Sequence, residues 1–323
     1  MSASPAVLIV CFKRFQYIDD YFDLGIKVGI TRFYIAVDGS ENSVISERQR
    51  EFVNHVNSKY KDKNIEIYWW LRPKNLGLAV SMITALDWFF RFEESGIILE
   101  DDLLLSNEFF LFCLSGLKSS RNENLYSISG NQPISDLLDG ESNNCGNYPL
   151  IWGWATWRDR WVEIRKIYEL SSFTVVRPSL SLGLRIFGFW FAGVMRVRSG
   201  ILSSWALPFA AASRSRNWLH IYPGVNLVQN LGDDDDATHT FSNSGFTEMS
   251  SSLGLNPVND RFCDERLAKV MTLSIEKNVY QIKFQHTFSP VIYFFIKAFD
   301  WTIRQDAFVE KLNEVEIPKF QSR

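Results

Sequence analysis

Long apolar runs are missing from this chain. The longest late one, Ile186 to Met195, is about half of the ~20 residues a spanning helix needs, so no transmembrane helix is expected. The early run Ala6 to Phe12 has no basic segment before it, and it reads as a first buried strand rather than a secretory signal. Cysteine is scarce. Cys11, Cys113, Cys145 and Cys263 lie far apart with no CxxC, which argues against a zinc site and against a disulfide framework. Reduced, buried thiols in a cytosolic protein are the expectation. Excess charge is absent too. Net charge is −3, from 34 basic and 37 acidic residues, so no global basic field marks a nucleic-acid binder. There is no GxSxG, HExxH, Walker A or GxGxxG pattern. This counts against a serine hydrolase, a zinc protease, a P-loop NTPase and a dinucleotide oxidoreductase.

What is present is ordinary globular composition with an aromatic surplus. Of 323 residues, 46% are hydrophobic and 22% charged, while Phe, Trp and Tyr number 26, 11 and 11. The length fits two domains, or one large α/β domain with a decorated C-terminal part. Eleven tryptophans exceed what one core usually needs. Such a surplus suits a ligand cleft, a sugar site or a membrane-facing patch, against the plainer reading of a loosely optimised core.

Strands are predicted at Val7–Val10, Thr31–Val37, Ile65–Leu71, Gly96–Leu99 and Leu125–Ile128. Helices are predicted at Asp19–Val28, Glu47–Lys59, Leu78–Phe92 and, N-capped by Ser106, through Lys118. This alternation predicts a parallel-rich α/β sheet with helices on both faces. Ligands of such sheets sit at the carboxyl ends of strands, where Phe12-Lys13-Arg14, Asp38-Gly39 and Glu100-Asp101-Asp102 all fall. Residues 131–150 read as a loop, Leu219–Leu231 as a strand pair turning at Pro223-Gly224, and the tail from about 260 as mainly helical.

Three constellations carry chemistry. Glu100, Asp101 and Asp102 cannot all enter the core unpaired, so they must face water, a cation or a basic partner. Hard cations such as Mg²⁺ or Mn²⁺ take carboxylate oxygens and share further sites with substrate phosphates. The competing reading is a helix start that favours acids. In Trp152-Gly-Trp-Ala-Thr-Trp-Arg158, with Trp161 beyond, the tryptophans cannot all point one way. A sugar-facing surface and a buried aromatic cluster suit them equally. The run Asp233–Asp236 reads as a solvated loop, and His239 after it is either structural or a metal or phosphate contact.

Together these stretches resemble a GT-A glycosyltransferase. They are most similar to bacterial hemolytic-protein-like (HlpA-like), family 2-like transferases of polysaccharide loci. The resemblance rests on VLIVCFKR (7–14), IAVDGS (35–40), RPKNLGLAVSMITALDWFF (72–90), GIILEDDLLLSNEFF (96–110), Ser129–Asn131, IWGWATWR (151–158) and VNLVQN with DATHT, which cover most of residues 5–240. It implies a Rossmann-like three-layer α/β/α domain over 1–245, with nucleotide-binding (1–130) and acceptor (131–245) parts. Residues 246–323 would form a mainly helical extension. It implies transfer of a sugar from a nucleotide-diphosphate sugar, a UDP-sugar favoured, to a lipid-linked or oligosaccharide acceptor in surface-polysaccharide (lipopolysaccharide O-antigen or capsule) synthesis, and hence a cytoplasmic location.

By that resemblance Asp102, with His239, holds Mn²⁺ or Mg²⁺. Phe12, Lys13, Arg14, Asp38, Asn75, Gly77, Glu100 and Asp101 line the nucleotide site. Trp152, Trp154 and Trp157 shape the sugar or acceptor site. One stretch departs. Relatives carry Trp-Asp-x-Gln-Trp, whose Asp is the general base, where this chain has Ser204-Trp-Ala206-Leu-Pro-Phe209. Three explanations stay open: Asp235 or Asp236 substitutes, the enzyme retains configuration, or the protein is a glycan binder derived from such an enzyme. A nucleotidyltransferase is disfavoured, since the loop after the first strand lacks glycine. Arg185, Arg196 and Arg198 flank Phe187, Phe189, Trp190 and Phe191, and Ser289–Trp301 is also aromatic. Both segments suit peripheral membrane contact, an oligomer contact or core, with core favoured.

Overall fold

The structure, a computed structural model, describes residues 4–119, 123–132, 144–231, 272 and 308–319. Its first half alternates strands and helices: β1 (Ala6–Cys11), α1 (Ile18–Lys27), β2 (Arg32–Val37), α2 (Ser43–Lys59), β3 (Glu66–Leu71), α3 (Leu78–Phe92) and β4 (Ser95–Glu100). Then follow β5 (Leu103–Leu105), α4 (Phe109–Lys118), β6 (Leu125–Ser129), β7 (Asn144–Gly146), β8 (Trp154–Trp157) and α5 (Arg158–Ile167). A helical lobe comprises α6 (Ser172–Val176), a 3-10 turn (Arg177–Leu182), α7 (Leu184–Arg198) and α8 (Ala206–Arg216). The strands β9 (Leu219–Tyr222) and β10 (Val228–Asn230) come next. Residues 308–313 form a further helical turn.

Eight strands form one mixed sheet in the order β3-β2-β1-β4-β8-β6-β9-β7. The β1–β2, β1–β4, β2–β3 and β6–β9 pairs are parallel, and the three others antiparallel. Alternation along each strand divides the core into two layers. Ala6, Leu8 and Val10 face α3 and α5, together with Trp154 and the lobe residues Trp190 and Phe209. Val7, Ile9 and Cys11 face α1, α2 and α4. The architecture is therefore the expected three-layer α/β/α sandwich. Strands buried on both faces need apolar residues throughout, which is why β1 reads as a continuous run. Each fully buried Leu, Ile or Val contributes about 1.5–3 kcal/mol relative to exposure.

Four expectations need correction. Ser106 does not cap α4: its hydroxyl is buried without a partner, and its carbonyl instead accepts from Phe109 N–H. The strands β9 and β10 do not pair with each other. β9 sits between β6 and β7 in the main sheet, while β10 pairs with β5, because the intervening residues carry the chain across the strand ends. Within 131–150, Asn144–Gly146 is a strand rather than loop. Finally, Cys11 and Cys113 are free and buried as expected, but Cys145 is disulfide-bonded. The expected helical tail also falls largely outside the described residues.

Candidate functional site

The sheet order reverses between β1 and β4, whose neighbours β2 and β8 lie on opposite sides. In open α/β sheets the crevice beyond such a switch point is where ligands bind. The loops leaving β1 and β4 meet there. Asp101 Oδ2 accepts from the backbone N–H groups of Phe12, Lys13 and Arg14 at 2.8, 3.3 and 3.2 Å. One carboxylate thus fastens the whole β1 loop to the end of β4. Arg14 Nη1 then reaches Asp102 Oδ2 at 3.1 Å. Asp102 Oδ1 and Arg14 Nη2 are buried without hydrogen-bond partners. The Asp102 carbonyl accepts from Leu231 N–H at 2.8 Å, which ties the turn to the chain leaving β10.

Burial sets the electrostatics. It pushes the carboxyls of Glu100, Asp101 and Asp102 up, Glu100 well above its ordinary range. For Asp101 the three backbone donors work in the opposite direction. For Asp102 burial dominates, the Asp101 charge adds to it and Arg14 offsets it, leaving the group at about 6. Three crowded acids, one of them with an unpartnered oxygen, make a site that gains from a positive ligand.

A second clamp lies at the end of β2. Asp38 accepts from Leu76 N–H on both oxygens (3.0 and 3.1 Å) and from Gly77 N–H at 3.2 Å. Its carboxylate thereby holds the β3–α3 loop. Asn75 Oδ1 also accepts from Gly77 N–H, at 2.7 Å. Gly77 has φ +78°, a left-handed conformation that favours glycine. Gly39 is needed for space: a Cβ there would lie 2.5 Å from Lys74 N and 2.6 Å from Arg72 O. A cavity of about 330 Å³ opens beside this loop, lined by Leu76, Gly77, Val80, Val197, Leu202 and Lys311. Lys311 Nζ donates to the Leu76 carbonyl at 2.9 Å.

Two organisers are not legible in the sequence. Tyr21, from α1, donates to the Leu103 and Glu100 carbonyls and fixes the acidic turn. Gln49, from α2, donates at 2.8 Å to both the Phe12 and Asp38 carbonyls, joining the two loops. Both act across dozens of residues from helix positions that look like ordinary surface or core, so no local signal marks them. Arg72 is a third: it lies 4.2 Å over the Trp70 ring and donates to Ser81 and Thr84.

The tryptophan motif divides. Trp154 is buried in β8 and stacks on Trp205, with ring centroids 5.8 Å apart. Trp157 is buried on the opposite face and donates to the Leu117 carbonyl at 3.4 Å. Both are core residues with almost no surface for a sugar. Trp152 is only partly buried. Ile98 pairs with Trp154, where the β4–β8 ladder ends, and Trp152 lies two residues before it. Ala206 is the first residue of α8, next to the buried Trp205. His239 and Asp233–Asp236 lie outside the described residues. Among the described residues no three His, Cys, Asp or Glu side chains converge as a metal cluster, and no helix is long and apolar enough to cross a membrane.

No protein-family model matches the chain, and no curated protein matches its sequence. The crystal structure of HddC from Yersinia pseudotuberculosis is similar over 48% of this chain and 77% of that one, at 10% identity and a TM-score of 0.29. A likeness that loose carries no functional argument.

Proposed function

We propose that the chain is a cation-dependent glycosyltransferase, moving a sugar from a nucleoside-diphosphate sugar to an acceptor hydroxyl. The observation that carries this reading is the division of labour between adjacent carboxylates. Asp101 is spent on three backbone amides, while Asp102 keeps a buried oxygen free of any partner at the switch point of the sheet.

That donor set fits a hard divalent cation held by one protein carboxylate, with the remaining sites left to phosphate oxygens and water. Asp102 would hold Mn²⁺ or Mg²⁺, which when bound offsets charge on the departing diphosphate. The other residues act by position. Asp101 sets the β1 loop, with Phe12 to Arg14, against the nucleotide. Arg14 neutralises Asp102 and is free to turn its second nitrogen toward phosphate. Asp38, Asn75 and Gln49 hold the neighbouring loops. Trp152, just before β8, offers the one partly exposed indole of the three. In the reaction the bond from the anomeric carbon to the diphosphate oxygen breaks, and its electron pair leaves with the nucleoside diphosphate. The acceptor oxygen bonds to that carbon and loses its proton to a base that Ala206 cannot supply. The expected acceptor is a lipid-linked or oligosaccharide hydroxyl of a surface polysaccharide, and the expected location is cytoplasmic.

Ala206 favours a second reading, a glycan binder that no longer turns over. A melting panel with UDP, GDP, CDP, dTDP and CMP, each with Mn²⁺, Mg²⁺ or chelator, tests the first. A ligand at roughly a hundredfold over its Kd stabilises by about 2.7 kcal/mol. One diphosphate should raise the melt only with cation, and Asp102→Asn should remove that shift. No shift with any nucleotide rejects the transferase. A shift without slow donor hydrolysis or transfer supports the binder.

A further inference from the structure

We infer that the outer face of α7, with the short helices that precede it, docks flat on an anionic lipid surface. Between Leu170 and Gly232 the sequence contains no Asp and no Glu but six Arg, in a chain whose net charge is −3. The solvent face of a surface helix is ordinarily polar. On α7 the outward positions at fourfold spacing are Leu184, Gly188, Ala192 and Arg196, while Trp190, Val194 and Val197 are buried. Apart from the Arg196 guanidinium that outer row has no polar side chain. Leu184 is 79% exposed, and Gly188 has open space around it.

The neighbouring segments extend the same character. Phe173 and Leu180, on α6 and the 3-10 turn packed against α7, are 46% and 40% exposed, and Arg177 between them is exposed. Phe173 is backed edge-on by Phe187, which stacks on Phe191 with centroids 5.5 Å apart. The exposed ring is therefore held outward by packing. Ile201, 43% exposed, stands near Arg196 at the far end of the helix. Not every arginine here is available. Arg198 and Arg216 donate to main-chain carbonyls at the ends of α5 and α6 and serve the fold.

Apolar side chains on a helix face, bordered by arginines in a stretch of sequence without a carboxylate, match the boundary between acyl chains and headgroups. Leucine and phenylalanine enter the apolar layer, while arginines meet lipid phosphates. A second copy of the same face would bring like charges together. A polynucleotide would offer Leu184 and Phe173 no apolar layer. The inference is independent of the proposed transfer reaction.

Flotation of the full chain with vesicles of phosphatidylcholine, alone or mixed equally with phosphatidylglycerol, tests it. The chain should float with the mixed vesicles, fail to float with neutral ones, and be released by salt. Each arginine near an anionic surface contributes roughly fivefold in affinity, so Arg177→Glu with Arg196→Glu should weaken binding by at least about 25-fold. Leu184→Glu should abolish flotation with an unchanged melting curve, since its side chain is exposed. Failure of the parent chain to float with anionic vesicles would overturn the proposal. So would flotation that survives these variants, or a dimer in solution that Leu184→Glu dissolves.

Discussion

The Tyr21 hydroxyl is bound twice to one residue: it accepts from Leu103 N–H at 3.0 Å and donates to the Leu103 carbonyl at 2.7 Å. A side chain of the first helix thereby holds the main chain just past the acidic turn, 82 residues away. Tyr21→Phe leaves both buried groups of Leu103 without that partner. The expected cost is about 1–3 kcal/mol, read as a melting temperature lowered by several degrees. Cation-dependent nucleotide binding should weaken with it, because Asp102 sits on the loosened turn.

Asp101 and Asp102 should separate in mutation. Asp101→Ala releases three backbone N–H groups and frees the β1 loop, costing about 3 kcal/mol or more in denaturant titration. Asp102→Ala removes a buried carboxyl that has an unpartnered oxygen but also the ion-pair partner of Arg14, so stability without cation should fall, though by less than in Asp101→Ala. The order reverses for the cation-dependent melting shift, which Asp102→Ala eliminates. Equal destabilisation by the two variants would contradict this division of labour.

Gly39→Ala places a methyl group against main chain rather than a movable side chain, 2.5 Å from Lys74 N. The exits of β2 and β3 must then part, at about 1–3 kcal/mol. Because Asp38 grips Leu76 and Gly77 across that gap, nucleotide affinity should fall along with stability. A calorimetric titration of the variant at a temperature where it is folded checks this.

His220 gives a pH dependence with a definite sign. Its ring is buried in β9, with Nδ1 2.7 Å from Ser127 Oγ and Phe209 edge-on at 5.6 Å, and among the described residues no acid is paired with it. Burial disfavours the imidazolium and lowers the pKa to about 3 from 6.5. Below pH 6.5 the unfolded chain binds a proton that the folded chain does not, so stability falls as pH falls through the window from 6.5 to 3. The loss should reach about 2 kcal/mol at about pH 5. His220→Gln should flatten this leg of a urea-midpoint profile, and a profile unchanged by that substitution would refute the assignment.

Local pattern alone determined the alternating elements up to β6, except the short β5, which forms only by pairing with the distant β10. Strands buried on both faces require continuous apolar runs, and their helices require spaced ones, so β1 to β4 and α1 to α3 stand close to where periodicity puts them. The Glu100–Asp102 turn was legible for a similar reason: successive acids after a buried strand have nowhere to go but the sheet end. What local pattern could not decide was how each carboxylate is used. Asp101 and Asp102 are identical side chains side by side, and only the approach of the β1 loop makes one a clamp and leaves the other with a free oxygen. Tyr21 and Gln49 organise the site through contacts between distant segments, which no short window contains. The same holds for the tryptophans. Trp152, Trp154 and Trp157 share one motif, but the antiparallel insertion of β8 between β4 and β6 buries two of them and leaves the third at the strand end. Burial is set by which surfaces meet in three dimensions, and composition records only that there is apolar surface to be met.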